Sequence, residues 1–375
     1  MALGVYVHLP FCPYICPYCD FAKWPLRRSA AARYLEALYA EIDREPATPA
    51  ATFFLGGGTP NTYLASDIAA LVARLRDRFG ASAAQEISIE LNPELVRPGD
   101  MLAYADAGIN RVSIGVQSFV EPEIATLGRK HSYADVERAV TQARAAAIAS
   151  VSIDLIFGVP GQTQASWQRS LDAAIALGVD HVSTYGLTVE EGTPYFAWQA
   201  REPRAFAAQD DEAEMYDLAI RTLEAAGFEH YEISNFARPG HRCAHNANYW
   251  ENGPYVGLGV GAASYRDGRR STHTRDLAEY LDAAGTGRPI PGNAEHLLGD
   301  AAAGEAVMLA LRTSQGVGLR SFKERYHLDV LERFAQTVAN FVEAGMLEVS
   351  GDSLRLTRQG RFIANDVCGA FLSLD

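Results

Sequence analysis

The chain has only five cysteines in 375 residues, and three of them crowd into positions 12 to 19. So sparse a set cannot be the framework of a disulfide-stapled secreted domain. Positive charge is also short: 33 Lys and Arg stand against 46 Asp and Glu, a formal net charge of −13. A general nucleic-acid binder presents a basic face, so that class is set aside. No apolar run approaches the ~20 residues that a membrane-spanning helix needs. No basic leader with a small-residue cleavage site stands before Gly4-Val5-Tyr6-Val7-His8. Low-complexity tracts are missing too, as are repeats beyond simple strand–helix alternation. These absences predict a cytoplasmic protein, at most peripheral to a membrane. In such reducing surroundings clustered cysteines bind metal rather than each other.

What remains is an ordinary globular composition, 48% hydrophobic and 21% charged, sufficient for one large domain and a smaller one. Up to about residue 230, short β-branched runs alternate with Ala- and Leu-rich stretches of helical period. Strands are expected at 5–9, 52–55, 86–91, 111–116, 151–156 and 180–185. Helices are expected near 30–45, 65–79, 99–107, 132–148 and 164–177. This alternation reads as an α/β fold of parallel βαβ units. Six of them would make a partial (β/α)6 barrel with ligands at the carboxyl ends of the strands. An open doubly wound sheet has the same periodicity. Residues 231–295 change character, with Gly, Pro, Asn and aromatics crowded between 235 and 265, suggesting loops and short strands around a ligand. Residues 296–375 read as helical runs ending at Gly345, then strands at 346–349 and 353–357 about Ser350-Gly351-Asp352. Helices followed by a hairpin suggest a winged-helix-like α+β module.

Cys12-Pro-Tyr-Ile-Cys16-Pro-Tyr-Cys19 carries the strongest chemistry. Three thiolates on one tight loop can each bind an iron of a [4Fe–4S] cube, and with no fourth cysteine in the loop one iron stays open to another ligand. Zinc is the rival, since its structural sites want four N or S ligands and His8 lies close by in sequence. Gly56-Gly57-Gly58-Thr59-Pro60 follows a strand directly, where glycine lets a ligand touch the main chain; the bland alternative is a plain turn. Glu90, Gln117, Arg129 and Asp154 recur at or just past strand ends. Asp154 lies within an apolar run, where an isolated charge is costly, so it needs a partner.

Tyr6-Val7-His8-Leu9-Pro10-Phe11-Cys12, the three-cysteine spacing and the Gly56–Pro60 motif together resemble the radical S-adenosylmethionine (SAM) proteins related to oxygen-independent coproporphyrinogen III oxidase. Within that group the sequence is most similar to the HemW-type haem chaperones, over nearly its whole length. The resemblance implies that SAM chelates the open iron through its methionyl amine and carboxylate, and that an electron donor serves the cluster. It implies that Gly57, Gly58 and Thr59 face the SAM amino group and that Glu90 meets its ribose. Gln117, Arg129 and Asp154 would line the same pocket, Tyr6 and Tyr18 would frame it, and Thr188 and Ala263 align with more distant contacts.

His245-Asn246-Ala247-Asn248-Tyr249-Trp250 matches a pattern linked in the HemW-type proteins to haem binding. A neutral imidazole is a common haem ligand, so His245 is the candidate, with Cys243 as an alternative. A histidine satisfied by hydrogen bonds in a packed aromatic corner is the bland reading. Cys368 sits in an apolar stretch and reads as core; His8, His131 and His241 receive no role. Where the oxidases carry a further cysteine two residues after the third ligand, this chain has Phe21, and it lacks their N-terminal extension. Both departures tell against the oxidase. The expected function is thus a chaperone that binds a cluster, SAM and haem and hands haem to a respiratory protein. Oxygen-independent coproporphyrinogen III oxidase and a structural zinc protein are the alternatives, and a homodimer is compatible with any of the three.

Overall fold

The computed structural model describes residues 2–80 and 85–372. Six parallel strands form its centre: β1 (Leu3–Leu9), β2 (Ala50–Gly57), β3 (Glu86–Leu91), β4 (Arg111–Gln117), β5 (Ser150–Phe157) and β6 (His181–Gly186). They neighbour one another in sequence order, each parallel to the last. A doubly wound sheet reverses its order at a switch point; this one never does, so the partial-barrel expectation holds. The intervening helices α1 (Arg28–Arg44), α2 (Ala65–Phe79), α3 (Asp100–Ala107), α4 (Tyr133–Ala145) and α5 (Gln164–Ala176) fall where the periodicity placed them, and α6 (Gln209–Ala225) follows β6.

Alternation explains the layering, because successive strand residues point to opposite faces. Val5, Val7, Phe53, Leu55, Ile87, Ile89, Val112, Ile114, Val151, Ile153 and Val182 join Leu38, Leu71, Val72, Val136 and Leu171 of the helices in one core. The other face carries Tyr6, His8, Thr52, Glu86, Ser88, Glu90, Arg111, Ser113, Ser152, Asp154, His181 and Ser183, side by side in register. Most barrels fill that face with branched apolar side chains. A polar lining must find partners or a ligand.

Helix α4 stops at Ala145, short of the expected 148. Ala147 takes a left-handed backbone (φ 56°), and the Ile148 N–H reaches back to the Ala143 carbonyl at 3.0 Å, which closes the helix end. Its start is set by Ser132, whose hydroxyl accepts from the Asp135 N–H while Asp135 answers the Ser132 N–H.

The stretch from 231 to 295 holds short strands, and these extend the same sheet on both sides. Beyond β6, β8 (Asn235–Ala237) and then β7 (Glu229–Glu232) pair antiparallel. Beyond β1, β9 (Tyr255–Leu258) pairs parallel, followed by antiparallel β10 (Ala263–Arg266), β11 (Arg269–His273) and β12 (Gly292–His296). Between them α7 (Ala244–Trp250) lies beneath the amino ends of the barrel strands. The C-terminal part has its own core, including Val307, Leu311, Phe322, Phe334, Leu354 and Phe371. Its helices carry a three-stranded sheet of β13 (Val317–Gly318), β14 (Leu347–Ser350) and β15 (Ser353–Leu356), the hairpin that the sequence suggested. Among the described residues no helix is long and apolar enough to cross a membrane.

Candidate functional site: a cavity at the carboxyl ends of the barrel strands

Cys12, Cys16 and Cys19 follow the end of β1 on a loop that the main chain ties down. Leu26 N–H donates to the Cys12 carbonyl at 2.8 Å and Trp24 N–H to the Pro10 carbonyl at 2.9 Å. The glycine motif ends the next strand, and its first task is close approach. A Cβ on Gly58 would sit 2.7 Å from the Pro10 carbonyl carbon, and one on Gly57 (φ 107°) would sit 2.4 Å from His8 Nδ1. Only glycine lets the end of β2 lie against the root of the cysteine loop. Gly58 N–H and Thr59 N–H then donate to the Leu9 and Phe11 carbonyls at 2.9 and 3.1 Å.

Together these segments open a cavity of about 460 Å³. It brings together Cys12, Cys16, Cys19, Tyr18, Gly57, Gly58, Thr59, Glu90, Gln117, Arg129, Asp154 and Thr188. Two of the SAM-contact candidates stand apart from its lining. Tyr6 lies on β1 behind it, its ring stacked on Phe54 and its hydroxyl 3.0 Å from His8 Nδ1. Ala263 opens β10, away from the cavity.

Charge in the cavity is arranged for a guest. Glu90 accepts the Gly57 N–H at 3.0 Å; burial and the neighbouring Asp154 carboxylate push it up to about 7. Burial also raises Asp154, against the hydrogen bonds of Ser183 and Ser113, the latter at 2.9 and 3.0 Å. A hydroxyl donor or a positive charge brought between these carboxylates would let both ionise. Gln117 reaches the cavity from a bulge at the end of β4 and holds a left-handed backbone, φ 67°. Strain of that kind costs on the order of 1–3 kcal/mol and gathers at binding sites. Arg129 donates to Asn92 Oδ1 at 2.9 Å and lies 4.0 Å from Cys16 Sγ. Burial opposes its charge, but Tyr18, Tyr14, Cys16 and Glu94 outweigh that and hold it protonated. Its Nε and the Glu94 Oε2 are buried without a protein partner.

The thiols fit a cluster better than a single ion. Burial raises Cys12 to about 11 and raises Cys19 as well, so iron must displace their protons. Among the described residues no three His, Cys, Asp or Glu side chains converge tightly enough to hold one ion. A cubane does not require it, since each thiolate takes a different iron. His8, the fourth ligand that zinc would recruit, has both nitrogens engaged: Nδ1 with Tyr6, and Nε2 with the Ala22 carbonyl at 2.7 Å.

His245 stands apart from the other candidates. It lies under the amino ends of the strands, away from the cavity that gathers most of the other candidates, and both its ring nitrogens are used. Nδ1 shares a hydrogen bond with Thr52 Oγ1 at 2.8 Å and Nε2 with Tyr249 Oη at 2.9 Å. Its ring stacks on Phe54 at 5.2 Å, and burial lowers it to about 3. With both nitrogens engaged, this arrangement is the one that the packed-corner reading describes. Cys243, next along, is buried against Glu86 and raised to about 12 by that burial. Cys368 packs in the C-terminal core.

Several lining residues escaped the sequence reading: Tyr14, Ile15, Phe21, Lys23, Asn92, Tyr185 and Glu190. Tyr185 was within reach, because His181, Ser183 and Tyr185 alternate along β6 as Ser152 and Asp154 do along β5. Its ring is 42% exposed, into the cavity.

A barrel end with three free thiols and a buried carboxylate pair is the setting of cluster-bound SAM, and this is a radical SAM protein. The model of the radical SAM superfamily matches residues 6–174, and that of the HemN C-terminal domain matches 297–363. The fold superimposes on coproporphyrinogen III oxidase (HemN) from Escherichia coli with a TM-score of 0.87, covering 99% of this chain and 90% of that one at 24% identity. The heme chaperone HemW of Bacillus subtilis is 34% identical over 98% of this chain and 99% of its own. That of Mycobacterium tuberculosis strain H37Rv is 39% identical over 98% and 94%. The chain belongs to the HemW family of radical SAM proteins.

Proposed function

We propose that this protein is a cytoplasmic haem chaperone, binding haem and passing it to a respiratory haem protein, with the cluster cavity as its regulatory or reactive centre. The full-length similarity to relatives named as haem chaperones carries this reading. Phe21, where the oxidases carry a cysteine, supports it. In this reading Cys12, Cys16 and Cys19 hold three irons of the cluster. Gly57, Gly58 and Thr59 offer main-chain edges to the SAM amino group, Glu90 takes the ribose, and Gln117, Arg129 and Asp154 close the pocket, with Tyr18 at its side and Tyr6 behind. A cluster held by these three thiolates would supply the reducing electron for SAM. Arg129 beside Cys16 steadies the negative charge of the thiolates, and Asn92 holds the guanidinium in place. An electron donor, a homodimer and contact with a membrane surface belong to the same proposal.

The test uses anaerobically reconstituted protein with about four irons per chain. Haem titration should show a saturable Soret band, and coproporphyrinogen III with SAM and reductant should stay unchanged. Sustained decarboxylation would assign the protein to the oxidase instead.

A further inference from the structure

The most exposed aromatic side chain of the chain sits beside its most reactive centre. Phe21 follows Cys19 by two residues and is 66% exposed; Ile15, between Cys12 and Cys16, is 41% exposed. Both line the mouth of the cluster cavity. Two large apolar side chains at one cavity mouth offer surface that a ligand can cover, burial returning about 25 cal/mol per Å². Their exposure is built in rather than frayed. His8 holds the Ala22 carbonyl at 2.7 Å, and Trp24 and Leu26 are pinned to Pro10 and Cys12 on either side.

The charge beside this lip is mixed, Lys23 and Arg275 standing against Asp20 and Glu190. Lys23 lines the cavity, donates to the Phe21 carbonyl at 3.3 Å, and forms no ion pair among the described residues. Arg275 reaches in from the start of α8 (Leu277–Thr286) and pairs with Asp20 at 3.5 Å. In a chain of net charge −13, a lysine without an ion pair beside an exposed aromatic suits a flat apolar ligand with a carboxylate arm, and a second arm would take the place of Asp20 on Arg275. Glu190, on the loop after β6, also lines the cavity and disfavours a carboxylate on its own side. A cavity of 460 Å³ is of the size that takes one small ligand, so with cluster and SAM inside, a macrocycle belongs on the rim.

We infer that haem rests on the lip formed by Ile15 and Phe21, its propionates directed to Lys23 and Arg275, and not at the His245 helix. The inference rests on the haem-chaperone reading and gives that ligand a place. His245 lies at the far end of β2, five residues and roughly 16 Å from Gly57 at strand rise.

The experiment is haem titration of the cluster-loaded protein, followed by its Soret band, in wild type, Phe21→Glu, Phe21→Leu, Ile15→Glu and Lys23→Glu. Iron content and the SAM-induced change in the cluster's paramagnetic resonance serve as checks that the loop is intact. Tenfold or greater weakening in Phe21→Glu and Ile15→Glu, a several-fold loss in Lys23→Glu and near-normal binding in Phe21→Leu are expected. Zinc protoporphyrin fluorescence should be quenched more strongly by cluster-loaded than by cluster-free wild type, because the lip adjoins the irons. If Phe21→Glu loses iron, Phe21→Leu against Phe21→Ala, with graded haem affinity at full iron content, decides the matter. Unchanged haem affinity across these variants would overturn the placement while leaving haem binding standing. Absence of haem binding in wild type would instead defeat the underlying function. Lost binding of an acceptor protein at unchanged haem affinity would make the lip a protein-docking surface and overturn the inference.

Discussion

The two ends of the barrel carry nearly the same chemical alphabet and use it in opposite ways. At the floor, Glu86 takes the N–H groups of Ala244 and His245 that open α7, at 3.1 and 3.0 Å, and pairs with Arg111 at 3.0 Å. Arg111 reaches the His241 and Arg242 carbonyls. His181 is held between Ser152 and Tyr231, at 2.8 Å on each side, and His245 between Thr52 and Tyr249. Arg111 Nη1, Ser150 Oγ, Ser88 Oγ and Trp250 Nε1 are among the atoms left without a partner. At the top, three thiols, two carboxylates and an arginine face an open cavity. A cysteine, a histidine or a glutamate therefore says little by its type. What separates a plug from a site is whether its polar groups have already found one another.

The largest expected contrast is in the cysteines. Cys12→Ala, Cys16→Ala or Cys19→Ala should remove the iron chromophore of reconstituted protein, whereas Cys243→Ala should keep about four irons per chain. Iron lost with Cys243 would break the division between the two ends. Next comes His245→Ala, which strands the Thr52 and Tyr249 hydroxyls and empties the stack on Phe54. It should destabilise the protein by about 3 kcal/mol in urea unfolding while bound haem keeps its spectrum. A shifted Soret band in that variant would restore His245 as a ligand.

The subtlest contrast is in pH. His245 is lowered to about 3 in the fold, so below its ordinary value of 6.5 the unfolded chain binds a proton that the folded chain refuses. The floor therefore loses stability as pH falls from 6.5 towards 3. Glu90 is raised to about 7, so the folded chain keeps a proton that the unfolded chain releases above 4.5. The top loses stability as pH rises from 4.5 to 7. Each slope is at most about 1.4 kcal/mol per pH unit, and between 4.5 and 6.5 they oppose one another. Glu90→Gln in the cluster-free protein should gain on wild type steadily across pH 4.5 to 7, measured by urea unfolding at each pH. A pH-independent difference would mean that Glu90 is already ionised and the cavity less enclosed than its geometry indicates.

Much of the top end was legible because its signals are local. The cysteine loop spans eight residues, the glycine run five, and Glu90 and Asp154 stand out as charges on strands. Tyr185 and Gln117 show the boundary of that legibility. The alternation along β6 points to Tyr185, but nothing in the chain announces the left-handed backbone that turns Gln117 into the cavity. At the floor the sequence left two readings open, since a histidine beside asparagines and aromatics looks alike whether it waits for iron or caps a packed helix. The partners that decide it, Thr52 and Phe54, lie more than 190 residues away.

The sequence by itself determined the strand–helix alternation, the three-thiol loop and the hairpin of the C-terminal module, because each depends on residues within one turn, one strand or one loop. The tertiary structure alone decided which end of the barrel stays open. Hydrogen-bond satisfaction is a property of pairs brought together across the sheet. Only once α7 docks beneath the barrel, capped by Glu86 and anchored by Thr52, do the floor's carboxylate, histidines and main-chain donors find one another, while the thiols and carboxylates of the cluster cavity still face open space.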